Sequence, residues 1–200
     1  MKQFLSVRIL LHAILIMVLG TATSSAAPTR YALDQTVSQV GFIYVLNGAA
    51  QKGTMPVSQA DLVIDPENLS DAKVDVQVSV EKARTGLIFA TDALKAPSVL
   101  DAGQFPTIRF VATAIHLGAD GRLSNGARID GDITIRGVTR PASFEASLFR
   151  MQGSAPDDLS TLTIRLTGAV RRSDFGASGY ADLVGDVVQL DIVARIQAQR

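Results

Sequence analysis

Residues 129–144, IDGDITIRGVTRPASF, carry the pattern that the rest of the chain repeats. Ile129, Gly131, Ile133 and Ile135 fall on one side, and Asp130, Asp132, Thr134 and Arg136 on the other. A period of two marks a strand with one buried face. Gly137 interrupts the run where a tight reversal needs positive φ, and Val138 and Thr139 begin a second strand. Pro141 has no N–H for a ladder, so it belongs at an edge-like or bulged position near that strand's start. The stretch predicts an antiparallel hairpin, apolar inside and polar outside.

The same alternation recurs along the chain. Tyr31 to Asp34 reads as a short strand, and Ser38 to Leu46 as a second. The second is apolar on both faces, with Val40, Phe42, Tyr44 and Leu46 opposite Ile43 and Val45. Asn47-Gly48 is a hairpin turn signal. A strand follows from about Gly53 to Ile64, broken or bulged at Pro56, and 65–68 (DPEN) is turn chemistry. Lys73 to Glu81 alternates most regularly, with Val74, Val76, Val78 and Val80 inward. Thr107 to Leu117, Leu159 to Arg171 and Val187 to Ile196 complete the set, and Asp120-Gly121 and Asn125-Gly126 mark further turns.

One segment departs from this period. In 84–101, Leu87, Ala90 and Leu94 recur at helical spacing, and Pro97 should end a short helix near Lys95. About eight or nine strands, turns at each reversal and one helical segment predict an all-β fold, an antiparallel barrel or sandwich. A barrel is favoured because closure removes the edges that long strands would leave exposed.

Composition changes the picture at the N-terminus. Lys2 and Arg8 precede an apolar run of 11 residues, Ile9 to Leu19, and Ser25-Ala26-Ala27 fits a small-residue cleavage site. This predicts a signal peptide over 1–27, since a span needs about 20 apolar residues. No twin-Arg pair is present, so Sec-type export to the periplasm or exterior is expected, with no membrane anchor after cleavage. The remaining 28–200 suits one domain. Without its leader the chain holds 17 basic and 19 acidic residues, net −2, with no charge blocks. Nucleic-acid binding is disfavoured on that balance. The chain has no cysteine, which excludes disulfides, thiolate metal sites and acylation on cysteine.

Candidate chemistry is sparse. His116 is the only histidine after the leader, and it is expected at a strand end on the surface. Asp130 and Asp132 are expected to solvate the outer wall. No catalytic constellation is read and no enzyme activity is expected. Arg171-Arg172-Ser173-Asp174 reads either as a local salt bridge or as a head-group contact, Arg172 being the candidate.

The inward list is short of bulk: four valines at 74–80, Ala112, Ala114, Gly131, Gly168 and Ala194, with no tryptophan. Small barrels either fill their lumen with side chains or hold one ligand. Either a solid core or an apolar ligand fits the pattern. Burying about 15 carbons gives roughly 12 kcal/mol gross, comparable to the about 4–15 kcal/mol that association costs. A long apolar chain would therefore bind with few polar contacts. Expected lumen residues are Phe42, Tyr44, Val76, Val78 and Phe110 in the first half, and Ile133, Ile135, Phe144, Ile164 and Ile192 in the second. Leu87, Phe89 and Leu94 are expected at the mouth.

Five stretches in order resemble the YceI-like family of exported lipid-binding proteins. They are Tyr31, Leu33, Asp34, Ser38, Val40 and Phe42; Asp92 and Leu94 to Ala96 with Gln104 to Phe110; Gly131, Ile133 to Ile135, Gly137 to Thr139 and Pro141; Arg172 to Gly176; and Gly185, Asp186 and Val188. The resemblance implies a lipocalin-like barrel of about eight strands in the periplasm or secreted. It also implies a polyisoprenoid chain, such as an isoprenoid quinone-type lipid, in the lumen and no other cofactor. The family often has Trp where Tyr31 stands and His where Val37, Asn47 and Ala93 stand. The expected function is a non-enzymatic carrier for that lipid. The alternative is a periplasmic accessory or stress-response interaction domain with no bound lipid. The oligomeric state stays open, a homodimer included.

Overall fold

The computed structural model describes residues 28–65, 68–118, 126–155 and 158–199. The expected leader and the Asp120-Gly121 turn lie outside these residues. Ten strands and one helix follow in order: β1 (Thr29–Leu33), β2 (Gln39–Leu46), β3 (Ala49–Ile64), β4 (Lys73–Ser79), β5 (Arg84–Thr85), α1 (Ile88–Lys95), β6 (Thr107–Leu117), β7 (Ala127–Ile135), β8 (Val138–Arg150), β9 (Thr161–Arg171) and β10 (Val187–Ala198).

Antiparallel pairing runs β10-β2-β3-β4-β6-β7-β8-β9, and β9 pairs back onto β10. The result is an eight-stranded antiparallel barrel with one short helix. The short β1 pairs with the far ends of β10 and β3, Tyr31 opposite Ala198 and Leu62. It thus continues the slot that β2 occupies between the near ends of the same two strands. The break between β1 and β2 is a local turn, where the Asp34 carboxylate accepts the Thr36 N–H at 3.0 Å and its hydroxyl at 2.6 Å.

The two hairpin signals form as expected. Asn47 and Gly48 take φ of 50° and 79°, and Arg136 and Gly137 take 50° and 73°. Two consecutive positive φ values match the twist of the flanking strands, so pairing resumes at once. For that reason β3 starts at Ala49 and not near Gly53. Its bulge falls between Val57 and Gln59 and not at Pro56, which pairs with Gln39. Pro141 pairs with Asp132 in the part of β8 that precedes the register with β9, an edge-like position that tolerates a missing N–H.

Helix α1 ends at Lys95, two residues before Pro97. Its last carbonyls are satisfied by the following turn: Leu100 N–H donates to Leu94, Ala102 to Lys95 and Asp101 to Ala96, at 3.0–3.1 Å. Residues 84–85, expected outside any strand, form the two-residue β5 against Gly53 and Thr54. Among the described residues no helix is long and apolar enough to cross a bilayer.

Candidate functional site

Inside the barrel lies a cavity of about 540 Å³ whose wall is almost entirely carbon. Every strand of the closed circuit contributes alternate side chains to it, because residues two apart share a face. All ten expected lumen residues line it: Phe42 and Tyr44 from β2, Val76 and Val78 from β4, Phe110 from β6, Ile133 and Ile135 from β7, Phe144 from β8, Ile164 from β9 and Ile192 from β10. On β2, apolar on both faces, the parity resolves as expected: Phe42 and Tyr44 are buried while Val45 is exposed.

Five phenylalanines line the cavity, and for three of them, Phe42, Phe110 and Phe144, a glycine gives the ring a place in the wall. A Cβ on Gly53 or Gly131 would collide with the ring of Phe42 or Phe110, and one on Gly168 would lie 2.7 Å from Phe144. Each ring therefore lies over a backbone that has no side chain, and its bulk stays at the wall. Phe110 and Phe144 meet edge to face, centroids 5.1 Å apart, a favourable aromatic geometry.

The two ends differ. At one, Tyr31, Leu62, Ile64, Leu162 and Ile196 pack together, and Ile196 is fully buried. The Tyr31 hydroxyl donates to the Leu159 carbonyl at 3.0 Å, and burial raises its pKa. This cluster is a plug. At the other end α1 and the connection 172–186 surround the lumen. Phe89, Tyr180 and Leu183 line the cavity there and are also exposed. Side chains that touch both the lumen and the exterior define a mouth.

Two expected site residues stand elsewhere. Leu87 does not line the cavity. It is the N-cap of α1, with extended φ and ψ of −121° and 126°, so the helical spacing that places Ala90 and Leu94 on the lumen side has not begun at Leu87. Arg172 borders the lumen, but its guanidinium is engaged by the chain. Nε donates to the Gly185 carbonyl at 3.2 Å, Nη1 to Ala177 and Gly179 at 2.8 and 2.6 Å, and Nη2 to Val184 at 3.0 Å. It is a buried clamp on the mouth connection, neither a free head-group contact nor a salt bridge to Asp174.

The same connection is held by Asp186. Its carboxylate accepts the Ser173 N–H and hydroxyl, both at 2.9 Å, and lies 3.5 Å from Arg171. The Ser173 bonds, with Arg171 adding to them, hold its pKa below the usual aspartate value.

Sequence reasoning missed much of the mouth. Leu100, Phe175, Ala177, Tyr180 and Val184 line the lumen from segments without periodicity, where alternation is silent. Met55 and Val57 on β3 also line it, and their alternation with Gly53 was a usable signal. Polar chemistry sits on the outer wall. His116 Nε2 is 2.9 Å from Asp130, which also accepts from Ser143 at 2.6 Å and Arg128 at 3.1 Å. These groups are on strand faces opposite the lumen. Among the described residues no cluster of three metal-ligating side chains occurs.

Comparison with known proteins gives a consistent picture. The family profile of the YceI-like domain matches residues 31–196. A UPF0312 protein of Pseudomonas fluorescens is 29% identical over 152 residues, covering 72% of this chain and 70% of its own. Protein YceI of Salmonella newport is 26% identical over 156 residues, covering 76% and 78%. Among solved structures, Burkholderia cenocepacia BcnA superposes with a TM-score of 0.69 at 19% identity, over 82% of this chain and 99% of that one. A polyisoprenoid binding domain from Saccharophagus degradans superposes with a TM-score of 0.63 at 10% identity, over 86% and 99%.

Proposed function

The chain belongs to the YceI-like family, and from that premise we propose that it is an exported carrier that holds one long apolar lipid of polyisoprenoid type in its lumen, without catalysing a reaction on it. The observation that carries this reading is the carbon-lined cavity of about 540 Å³ inside a closed sheet. Left empty, such a space forfeits the packing contacts that its lining would otherwise make, and voids in a protein interior are costly. Water is a poor filler, because each buried water needs polar partners and this wall offers few. A flexible hydrocarbon chain removes its own apolar surface from water and fills the space in one event. The volume falls within the about 300–1,000 Å³ of small-molecule sites. The resemblance of the fold to a polyisoprenoid binding domain supports the choice of chain. The leader over 1–27 supports export to the periplasm or exterior.

The test is organic extraction and native mass spectrometry of the mature protein purified from its exported fraction. A bound isoprenoid at one per chain is the expected result, with a mature N-terminus near residue 28. Val78 is 7% exposed and lines the lumen. Val78→Trp should fold and emerge with at most about a tenth of the wild-type lipid, as steric occlusion of an apolar site predicts. A wild-type protein free of lipid, or a Val78→Trp protein with its full complement, overturns the proposal.

A further inference from the structure

We infer that the rim of the mouth is a docking surface for a lipid bilayer, formed by Ile88 and Phe89 of α1 and by Tyr180 and Leu183 of the connection 172–186, and that it seats the open end of the lumen against the membrane. The choice of a bilayer as occupant rests on the carrier reading above; the inference adds where the protein meets it.

Nine large apolar side chains are exposed among the described residues. The two most exposed are neighbours in the first turn of α1, Ile88 at 85% and Phe89 at 64%. On the connection at the same mouth, Tyr180 and Leu183 are exposed as well. Phe89, Tyr180 and Leu183 also belong to the lumen wall. Apolar surface therefore continues from the inside of the barrel out to Ile88.

Tyr180 is held at the rim against its own backbone preference. Its φ is 58°, in the left-handed region that a bulky residue rarely adopts. The surrounding chain fixes it there. Its carbonyl accepts the Leu183 and Val184 N–H groups at 3.0 and 2.8 Å, and the preceding Gly179 N–H donates to the Ser98 carbonyl at 2.8 Å. Strain of this kind persists where the surroundings over-determine it, and it collects at functional sites. A ring with an apolar body and a polar tip suits the boundary between hydrocarbon and head groups.

Cargo, size and charge select the occupant. A long apolar tail that leaves the mouth into water exposes its whole surface. A mouth seated on a bilayer passes the tail from one apolar phase to another. A stable protein interface takes about 20–30 residues a side, far more than this rim, whereas membrane attachment strengthens with each apolar side chain inserted. A second copy set on the rim would close the exit. Neither sign of charge dominates around the mouth: Arg84 precedes α1, Asp92 and Lys95 lie within it, and Asp174 and Asp182 lie in the connection. Apolar burial, rather than attraction to anionic lipid, drives the contact.

The test is flotation of mature, lipid-stripped protein with phosphatidylcholine vesicles, in wild type, Ile88→Ser and Phe149→Ser. Ile88 lies outside the lumen wall, and Phe149, 52% exposed, stands on β8 toward the plugged end. Ile88→Ser should lower vesicle affinity about tenfold or more, the effect of one large apolar side chain no longer buried. Phe149→Ser should leave it unchanged. All three proteins should take up diphenylhexatriene from solution equally, which reads the lumen and the fold without a bilayer. Uptake without flotation of wild type overturns the docking surface and leaves the carrier reading standing. Flotation without uptake overturns the carrier reading alone. Ile88→Ser and Phe149→Ser behaving alike, or flotation only after phosphatidylglycerol is added to the vesicles, overturns the apolar rim. A wild type that is dimeric by analytical ultracentrifugation and becomes monomeric as Ile88→Ser gives the rim to a second copy and overturns the bilayer as its occupant.

Discussion

At Gly53 a methyl group would sit inside the ring of Phe42, its cross-strand partner, and at Gly168 it would press on Phe144. These positions hold the lumen open by absence. A side chain there forces a ring inward, into the space a lipid would use. Gly53→Ala is expected to fold, to lose about 1–3 kcal/mol as an overpacked variant does, and to bring down less lipid per chain. Gly86 is the control, since a Cβ there meets nothing within 4 Å. Gly86→Ala should stay within about 0.5 kcal/mol of wild type. Urea denaturation and quantitative extraction of both variants check the pair. Equal lipid content in Gly53→Ala and Gly86→Ala would refute the role given to the missing Cβ. The sequence offered Gly131 and Gly168 only as small inward residues. Their pairing with rings depends on cross-strand neighbours, which one strand's alternation does not specify.

The connection from β9 to β10 has no strand of its own and is fastened by polar contacts at both ends. Asp186 ties it to Ser173 and, more weakly, to Arg171. The carboxylate's folded pKa lies below its unfolded value. Its contribution is therefore fully present above the ordinary aspartate value, about 3.9, and is lost as pH falls through the lowered folded value. Asp186→Asn imitates the protonated state. It should melt below wild type at pH 7, and the gap should close as pH falls under about 4. Paired thermal melts across that range measure it, and a gap independent of pH would remove Asp186 from the acid response. This connection was also where sequence reading had least to work on. Arg172 was legible as one of two adjacent arginines at a strand end, open to a salt bridge or a head-group contact. Its four carbonyl partners come from residues 177–185, a stretch with no period to show which way its backbone turns. Leu87 failed for a related reason, since spacing locates a helical face but not the residue at which helical φ and ψ begin.

For the molecule as a whole, alternation along β4, β7, β9 and β10 sufficed to predict an antiparallel sheet with one apolar face, and the absence of bulky inward residues hinted at free space. Volume was not legible in the same way. It depends on how many strands close the circuit and on whether rings point across the lumen or lie along it, both properties of the assembled sheet. The consequence is thermodynamic. A chain whose barrel surrounds about 540 Å³ of apolar space has part of its stability outside its own sequence, in whatever fills that space. Any ligand bound only by the folded state stabilises it by mass action, about 2.7 kcal/mol when free ligand stands at a hundred times Kd. For a domain of this size each kcal/mol moves Tm by about 2–4 °C. Protein stripped of lipid should therefore melt about 5–10 °C below protein as purified, and adding back the extract should restore the difference. Differential scanning calorimetry of the three samples checks it. A stripped protein with an unchanged Tm would mean that the barrel repacks around its own side chains, and the lumen would then have no occupant to explain.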